Sequence, residues 1–140
     1  MRTEARNTWI VVADGGHARI LLNTHRDEGV QELTLVNKHD PRLASHHGEL
    51  AAGVHHAQGS VEKPSEGKFL SLLAETIQTG IARKEVVDVV LCAPATAMGL
   101  LRKALNTNSH KHVIAEIVHD YTHQENQAVW KTVRAKLPPL

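Results

Sequence analysis

The sequence predicts an α/β fold, and three patterns along the chain lead to that prediction. Two short blocks, 8–13 and 86–93, are almost wholly apolar and rich in β-branched residues, as expected of strands buried in a sheet. An Asp-Gly-Gly motif at 14–16 follows the first block and signals a tight turn, because glycine accepts a positive φ without steric cost. Apolar residues then recur at helical spacing over 69–81, which predicts a helix with one buried face.

The remaining elements follow from the same signals in chain order. After the turn, an apolar run predicts a return strand, and a loosely alternating run beyond a short polar link completes an antiparallel meander. The long helix begins near Glu66 with Ser65 as its N-cap, and Pro94 ends the second apolar block. The predicted strands are 8–13, 17–23, 30–36, 86–93 and 113–118, and the predicted helices after the long one are 95–105 and 123–137.

This order of elements, β-β-β-α-β-α-β-α, combines three meander strands with later strands that helices connect. It predicts a mixed five-stranded sheet with helices on its faces. No internal repeat and no linker divides the chain, so we expect one domain over residues 1–140.

Composition fits a compact domain without a large excess of positive charge. The chain is 41% apolar and 22% charged, which is typical of a globular domain, and its net charge is +1. Aromatic residues make up only 3%, which excludes base stacking as the main way of holding RNA. Cys92 lies in an apolar run and is interpreted as a buried thiol. A polar N-terminus and the short apolar stretches predict neither a signal peptide nor a membrane helix, so we expect a cytoplasmic protein.

A long stretch without periodicity, about 38–64, separates the meander from the long helix. Loops of this length inside a domain are commonly functional, and this one contains two pairs of adjacent histidines. Histidine nitrogens bind Zn²⁺ or Ni²⁺, but adjacent residues point apart in an extended chain, so a solvated loop is the favoured interpretation. We expect no cofactor, with a divalent metal as the open alternative. The metal candidates are His46, His47, His55 and His56.

Two aspartates, Asp14 and Asp120, lie at the ends of predicted strands. Carboxylates there would hold Mg²⁺ for phosphodiester hydrolysis, which needs about three or four converging acids. The central strand ends without an acid, and Glu75 on the long helix is the candidate for a third. The set is incomplete, so the pattern favours a plain hairpin turn at 14–16 over a catalytic site or a phosphate cradle.

Several scattered cations form another candidate site. If they share one face around the loop, they would contact RNA phosphates with an affinity that falls as the salt concentration rises. Scattered solubilising charge is the alternative. The RNA-binding candidates are Arg19, Arg42, Lys63, Lys68 and Arg102, with Lys103 beside the last of them.

Three segments together resemble the bacterial family described as proteins required for attachment to host cells. They are 8–15 with Ala18-Arg19, 91–94 with 99–105, and 115–117 with 120–122. That family is similar to the middle domain of archaeal and eukaryotic peptide-chain release factors, and the element order is shared with ribonuclease-H-like architectures. The resemblance therefore implies a release-factor-like fold and a connection with tRNA or the ribosome.

Release factors carry Gly-Gly-Gln in the corresponding loop, where it promotes hydrolysis of peptidyl-tRNA, whereas this loop has Ala57-Gln58-Gly59. The favoured hypothesis is therefore a noncatalytic RNA- or ribosome-associated module, monomeric or homodimeric, that makes its contact through the loop. One alternative is a hydrolase acting on RNA or peptidyl-tRNA, with Asp14, Gln58 and Asp120 as candidate catalytic residues. The other is an adhesion factor in host-cell attachment.

Overall fold

Five strands and four helices make up the part of the protein that this computed structural model describes, residues 6–37 and 66–138. The strands are β1 (Thr8–Ala13), β2 (His17–Asn23), β3 (Gln31–Asn37), β4 (Asp88–Ala93) and β5 (Val113–Val118). The helices are α1 (Glu66–Ala82), α2 (Ala95–Ala104), α3 (Thr107–His110) and α4 (Asn126–Arg134).

The strands form one mixed sheet in the order β3-β2-β1-β4-β5. β1, β2 and β3 pair antiparallel, so they are the predicted meander. β4 pairs parallel with β1 on one side and with β5 on the other. The predicted mixed five-stranded sheet is therefore confirmed.

Helices cover both faces of the sheet, so β1 and β4 are buried along their whole length. Successive side chains of a strand point to opposite faces. Trp9 and Val11 of β1 pack into a core with α1 and α2, whereas Ile10 and Val12 pack into a second core with α4. Trp130 of α4 is buried in the second core.

The structure differs from the predicted elements mainly at their ends. β4 begins at Asp88 rather than at residue 86, because Val87 donates its N–H to Asn7 O (3.0 Å) and belongs to the turn before the strand. The last helix is shorter than the predicted 123–137, since the chain before Asn126 forms a separate turn in which Gln124 N–H donates to Tyr121 O (3.0 Å).

One short helix was missed by the sequence prediction. α3 is a single turn whose N-cap, Asn106, accepts a hydrogen bond from Ser109 N–H at 2.8 Å. Asn is a favoured N-cap, but four residues are too few to establish a helical period.

The C-terminus of α1 places a lysine in the left-handed region. Glu85 N–H donates to Gly80 O (2.9 Å) and Lys84 N–H donates to Ile81 O (3.0 Å), which is the hydrogen-bond pattern of a Schellman motif. Lys84 has φ of 62°, at the position where glycine is most common because it has no Cβ.

Cys92 lies in the core between the sheet and α4. Burial raises the pKa of its thiol to about 12, so the group stays protonated and unreactive at neutral pH. The interpretation as a buried thiol is confirmed. In residues 6–37 and 66–138, no helix is both long and apolar enough to cross a membrane.

α1 passes closest to the sheet at Gly80. A Cβ at that position would lie 2.6 Å from Cζ3 of Trp9 and would overlap other atoms of the indole ring. Trp9 is itself buried, with 6% of its surface exposed, so the ring has little room to move away.

We expect Gly80→Ala to lower the free energy of unfolding by about 1–3 kcal/mol, because overpacking outweighs the gain in helix propensity. Gly99→Ala in α2 is the matched control, since nothing lies within 4 Å of its added Cβ. That variant should be as stable as the wild type or up to about 1 kcal/mol more stable. Urea denaturation of both variants measures the difference, and equal stabilities would contradict the close packing of Gly80 on Trp9.

Candidate functional site

The three parallel strands β1, β4 and β5 end on the same side of the protein, called here the carboxyl end of the sheet. Asp14 follows β1, and Asp120 lies two residues after β5. Asn37, the last residue of β3, pairs with His17 at this end. In open α/β sheets, ligands bind at this end of the strands.

Asp14 closes the turn between β1 and β2. Its Oδ1 accepts hydrogen bonds from the N–H groups of Gly16 (2.8 Å) and His17 (2.7 Å), and its own N–H donates to His17 O (2.9 Å). The predicted hairpin turn is confirmed. Because these two N–H groups bind the chain's own carboxylate, they do not form a phosphate cradle.

Thr122 connects Asp120 to Asp14. Asp120 Oδ1 accepts from the Thr122 N–H (2.8 Å) and hydroxyl (2.5 Å), and the same hydroxyl is 3.4 Å from Asp14 Oδ2. The hydroxyl bond is the main cause that lowers the pKa of Asp120, and burial acts in the opposite direction. The Thr122 N–H and the imidazoles of His123 and His119 lower that pKa further.

The third acid at this end is Glu66, which sequence reasoning missed. A Cβ at Gly15 would lie 2.7 Å from the carboxyl carbon and Oε2 of Glu66, so the first residue of α1 lies directly against the Asp14 turn. The candidate predicted from the sequence was Glu75. It lies nine residues after Glu66 in α1 and about 13 Å from it along the helix axis. An acid at a helix N-terminus was the available signal, because it complements the helix dipole.

These acids do not converge as metal ligands do. Across residues 6–37 and 66–138, no group of three or more His, Cys, Asp or Glu side chains is placed to hold a metal ion. The candidates His46, His47, His55 and His56 lie outside the described residues, as does Gln58.

Arg19 connects β2 to the segment before α4. Its Nε donates to Asn126 Oδ1 (2.8 Å), its Nη1 to Thr122 O (2.9 Å), and its Nη2 to the carbonyls of Tyr121 (3.4 Å) and Gln124. The guanidinium group therefore holds the chain from 121 to 126 against the sheet.

The described RNA-binding candidates do not share one face. Arg19 lies on the α4 face of the sheet, whereas Arg102 belongs to α2 on the opposite face and pairs with Glu116 (2.7 and 2.6 Å). Lys68 lies in the first turn of α1, on the same side as α2. Arg42 and Lys63 lie outside the described residues. One basic face formed by Arg19, Lys68 and Arg102 is therefore not present.

A shallow cleft of about 450 Å³ lies at the other end of the sheet, away from Asp14 and Asp120. Trp130, Arg134 and the loop residues Asp27 and Glu28 line it.

The sequence matches a protein-family model over residues 9–133, from β1 to α4. That family is described as "Protein required for attachment to host cells". The chain belongs to this family. The resemblance predicted from three short segments is thereby confirmed, and comparison with curated protein sequences found no significant match.

The fold of this family member is similar to that of solved translation factors. The archaeal translation termination factor aRF1 superimposes with a TM-score of 0.55 at 10% identity, covering 94% of this chain and 35% of that protein. A structure described as an archaeal protein has a TM-score of 0.55 at 16% identity, covering 94% of this chain and 36% of the other. Dom34 of S. cerevisiae, described as a translation termination-like factor, has a TM-score of 0.51 at 13% identity, covering 92% and 33%.

This chain thus spans about a third of the length of each of these proteins. At such identities the likeness shows the fold, and the predicted release-factor-like fold is confirmed.

We expect Thr122→Val to raise the pKa of Asp120 toward its ordinary range, because the variant lacks the hydroxyl that favours the charged carboxylate. The wild type gains stability from this bond above that range and loses the gain as the pH falls through the lowered pKa. The difference in unfolding free energy between wild type and variant should therefore shrink in acid. NMR titration of the Asp120 carboxyl carbon measures the pKa, with Thr122→Ser as control. An unchanged midpoint in Thr122→Val would contradict the assignment.

We expect Arg19→Met to lower the free energy of unfolding by roughly 1.5–3 kcal/mol, because several carbonyls lose a charged donor. Amides in the 121–126 segment should also exchange their hydrogens faster. Arg102→Met removes the same side chain from an exposed ion pair and should cost only about 0–1 kcal/mol. Denaturation combined with hydrogen exchange would reveal the difference, and equal losses in the two variants would show that Arg19 does not hold the segment.

Proposed function

We propose that this protein is a noncatalytic module that associates with RNA or the ribosome in the cytoplasm, as a monomer or homodimer. The observation that carries the proposal is the fold it has in common with aRF1 and Dom34, which are described as a translation termination factor and a termination-like factor in RNA quality control. The match covers more than nine-tenths of this chain, so it concerns the whole domain and not one motif.

The contacts at the carboxyl end support a noncatalytic role. Asp14 accepts hydrogen bonds from its own turn, and Asp120 accepts both donors of Thr122. The described donors of Arg19 bind carbonyls and an amide oxygen of the same chain. Side chains that a hydrolase would direct at water, metal or substrate are used here to build the turns.

The charge at the carboxyl end bears on where RNA makes contact. Glu66 begins α1 and Glu125 is the N-cap of α4, so both join Asp14 and Asp120 at this end. Four carboxylates repel phosphate, and a contact at this end would therefore depend on residues of the segment 38–65, which lies outside the described part of the chain.

We expect the protein in a low-salt cell lysate to co-migrate with ribosomal particles on a sucrose gradient, and to leave them as the salt concentration rises. Salt displaces a protein that binds through phosphate contacts, because counterions compete for the same charges. Immunodetection across the fractions measures the distribution. A protein found only at the top of the gradient, with no binding of purified tRNA or ribosomes at low salt, would contradict the proposal.

The same preparations separate the two alternatives. A hydrolase would release product from labelled RNA or peptidyl-tRNA, and the Gln58→Ala and Asp14→Asn variants would lose that activity. An adhesion factor, the role that the family's description suggests, would be found on the cell surface or in the medium after fractionation.

A further inference from the structure

The end of the sheet at which β1, β4 and β5 begin, called here the amino end, carries a row of basic side chains. One lies beside each of four neighbouring strands: Arg26 follows β2, Arg6 precedes β1, Lys84 lies in the loop before β4, and Lys111 precedes β5. Arg83, Arg134 and Lys136 extend this row, which we call the basic row. Its members are exposed, except for the partly buried Arg26.

Direct contacts join the loops that carry the basic row. Asn7 donates from Nδ2 to Glu85 O (3.1 Å), and its carbonyl accepts from Val87 N–H (3.0 Å). Val87 O lies 2.8 Å from Nδ1 of His112. The loops before β1, β4 and β5 therefore form one continuous surface at the ends of neighbouring strands.

Arg6 and Arg26 lie near the buried carboxylate of Asp88 at the same end. Arg6 donates from Nε and Nη2 to Asp88 (2.6 and 3.1 Å), whose side chain is only 7% exposed. Arg26 donates from Nη1 to Pro138 O (3.0 Å), just beyond the helix that carries Arg134. Burial is the main cause that lowers the pKa of Arg26. The carboxylate of Asp88 raises this pKa, and the charges of Arg6 and Arg134 lower it further. Arg6 and Arg134 therefore repel the Arg26 guanidinium, and a bound anion would reduce that repulsion.

Ordinary structural reasons account for only part of the basic row. A cation in the last turn of a helix complements the helix dipole, which explains Arg134. The ion pair with Asp88 accounts for Arg6, and the hydrogen bond to Pro138 O gives Arg26 a structural contact. Lys84 occupies a left-handed position where glycine would avoid a steric cost, so the backbone conformation does not account for a lysine there. Within residues 6–37 and 66–138, the acids in these loops are Asp27, Glu28, Glu85 and Asp88, against the seven cations of the basic row.

The aromatic residues restrict what kind of nucleic acid could bind. The chain has four Phe, Trp and Tyr residues, and each is at most 6% exposed. No ring of these types is therefore available to stack on an unpaired base. A surface that offers cations without stacking platforms suits the phosphates of base-paired RNA.

We propose that the basic row binds the phosphate backbone of base-paired RNA, without reading the bases. This inference rests on the proposed function, and it places the RNA contact at the end of the molecule opposite the Asp14 turn.

The test measures binding of the full-length protein to labelled deacylated tRNA over a range of KCl concentrations. The variants are Lys84→Gly and Lys111→Gln in the basic row, with Lys68→Gln as the matched control. Lys68 lies in the first turn of α1, at the carboxyl end, and the control removes the same unit of charge.

Each basic-row variant should weaken binding at least about threefold at low salt and should reduce the slope of log K against log salt by about one. Lys68→Gln should bind like the wild type. Lys84→Gly should keep or raise the melting temperature, because glycine accepts the left-handed conformation, so weaker binding by this variant cannot be a consequence of misfolding.

Four outcomes would overturn the inference. If the basic-row variants bind tRNA as tightly as the wild type, the basic row is not the RNA-binding site, and the proposed function is unaffected. Loss of binding in Lys68→Gln alone would show that RNA binds at the carboxyl end and not at the basic row. Displacement of tRNA by poly-glutamate at the same charge concentration would indicate an acidic protein as the partner. If the wild type binds no RNA at low salt, both the inference and the proposed function are contradicted.

Discussion

The complete burial of β1 is the constraint on which the rest of the structure depends. All six of its residues are buried, and its backbone groups pair with β2 on one side and β4 on the other. Trp9 and Val11 face one way while Ile10 and Val12 face the other, so one layer of helices cannot bury the strand. The parallel pairing with β4 also requires a long crossover, and α1 lies on that connection.

The parallel pairing has an electrostatic consequence. The helices α1, α2 and α4 all begin at the carboxyl end of the sheet and run back toward the amino end. Acids such as Glu66 and Glu125 gather at the helix starts, and Arg134 lies at a helix end, where each complements the helix dipole. Within residues 6–37 and 66–138, acids therefore gather at one end and cations at the other, although the net charge of the chain is only +1. Net charge alone gave no sign of a basic surface for this reason.

The strands, the helices and most buried residues could be predicted from local signals, because periodicity and turn residues act over a few positions. Contacts between distant segments could not. Glu66 rather than Glu75 lies beside the Asp14 turn because of where α1 starts against Gly15, and Arg19 binds residues more than a hundred positions away. The basic row runs from residue 6 to residue 136, and only the strand order brings its members together. α3 was missed because its four residues contain no repeating pattern.

The apolar residues that build the fold lie in the middle of the strands, and the charged side chains of both ends lie beyond them. Six residues at 3.3 Å each make β1 roughly 20 Å long, and its packed interior holds the two ends of the sheet at that distance. The likeness to aRF1 concerns the fold, whereas activity depends on the side chains of a site and not on the fold alone. At the carboxyl end, Asp14, Asp120 and Arg19 bind their own chain. At the amino end, the cations outnumber the acids, so the charge that phosphate requires lies where the parallel strands begin.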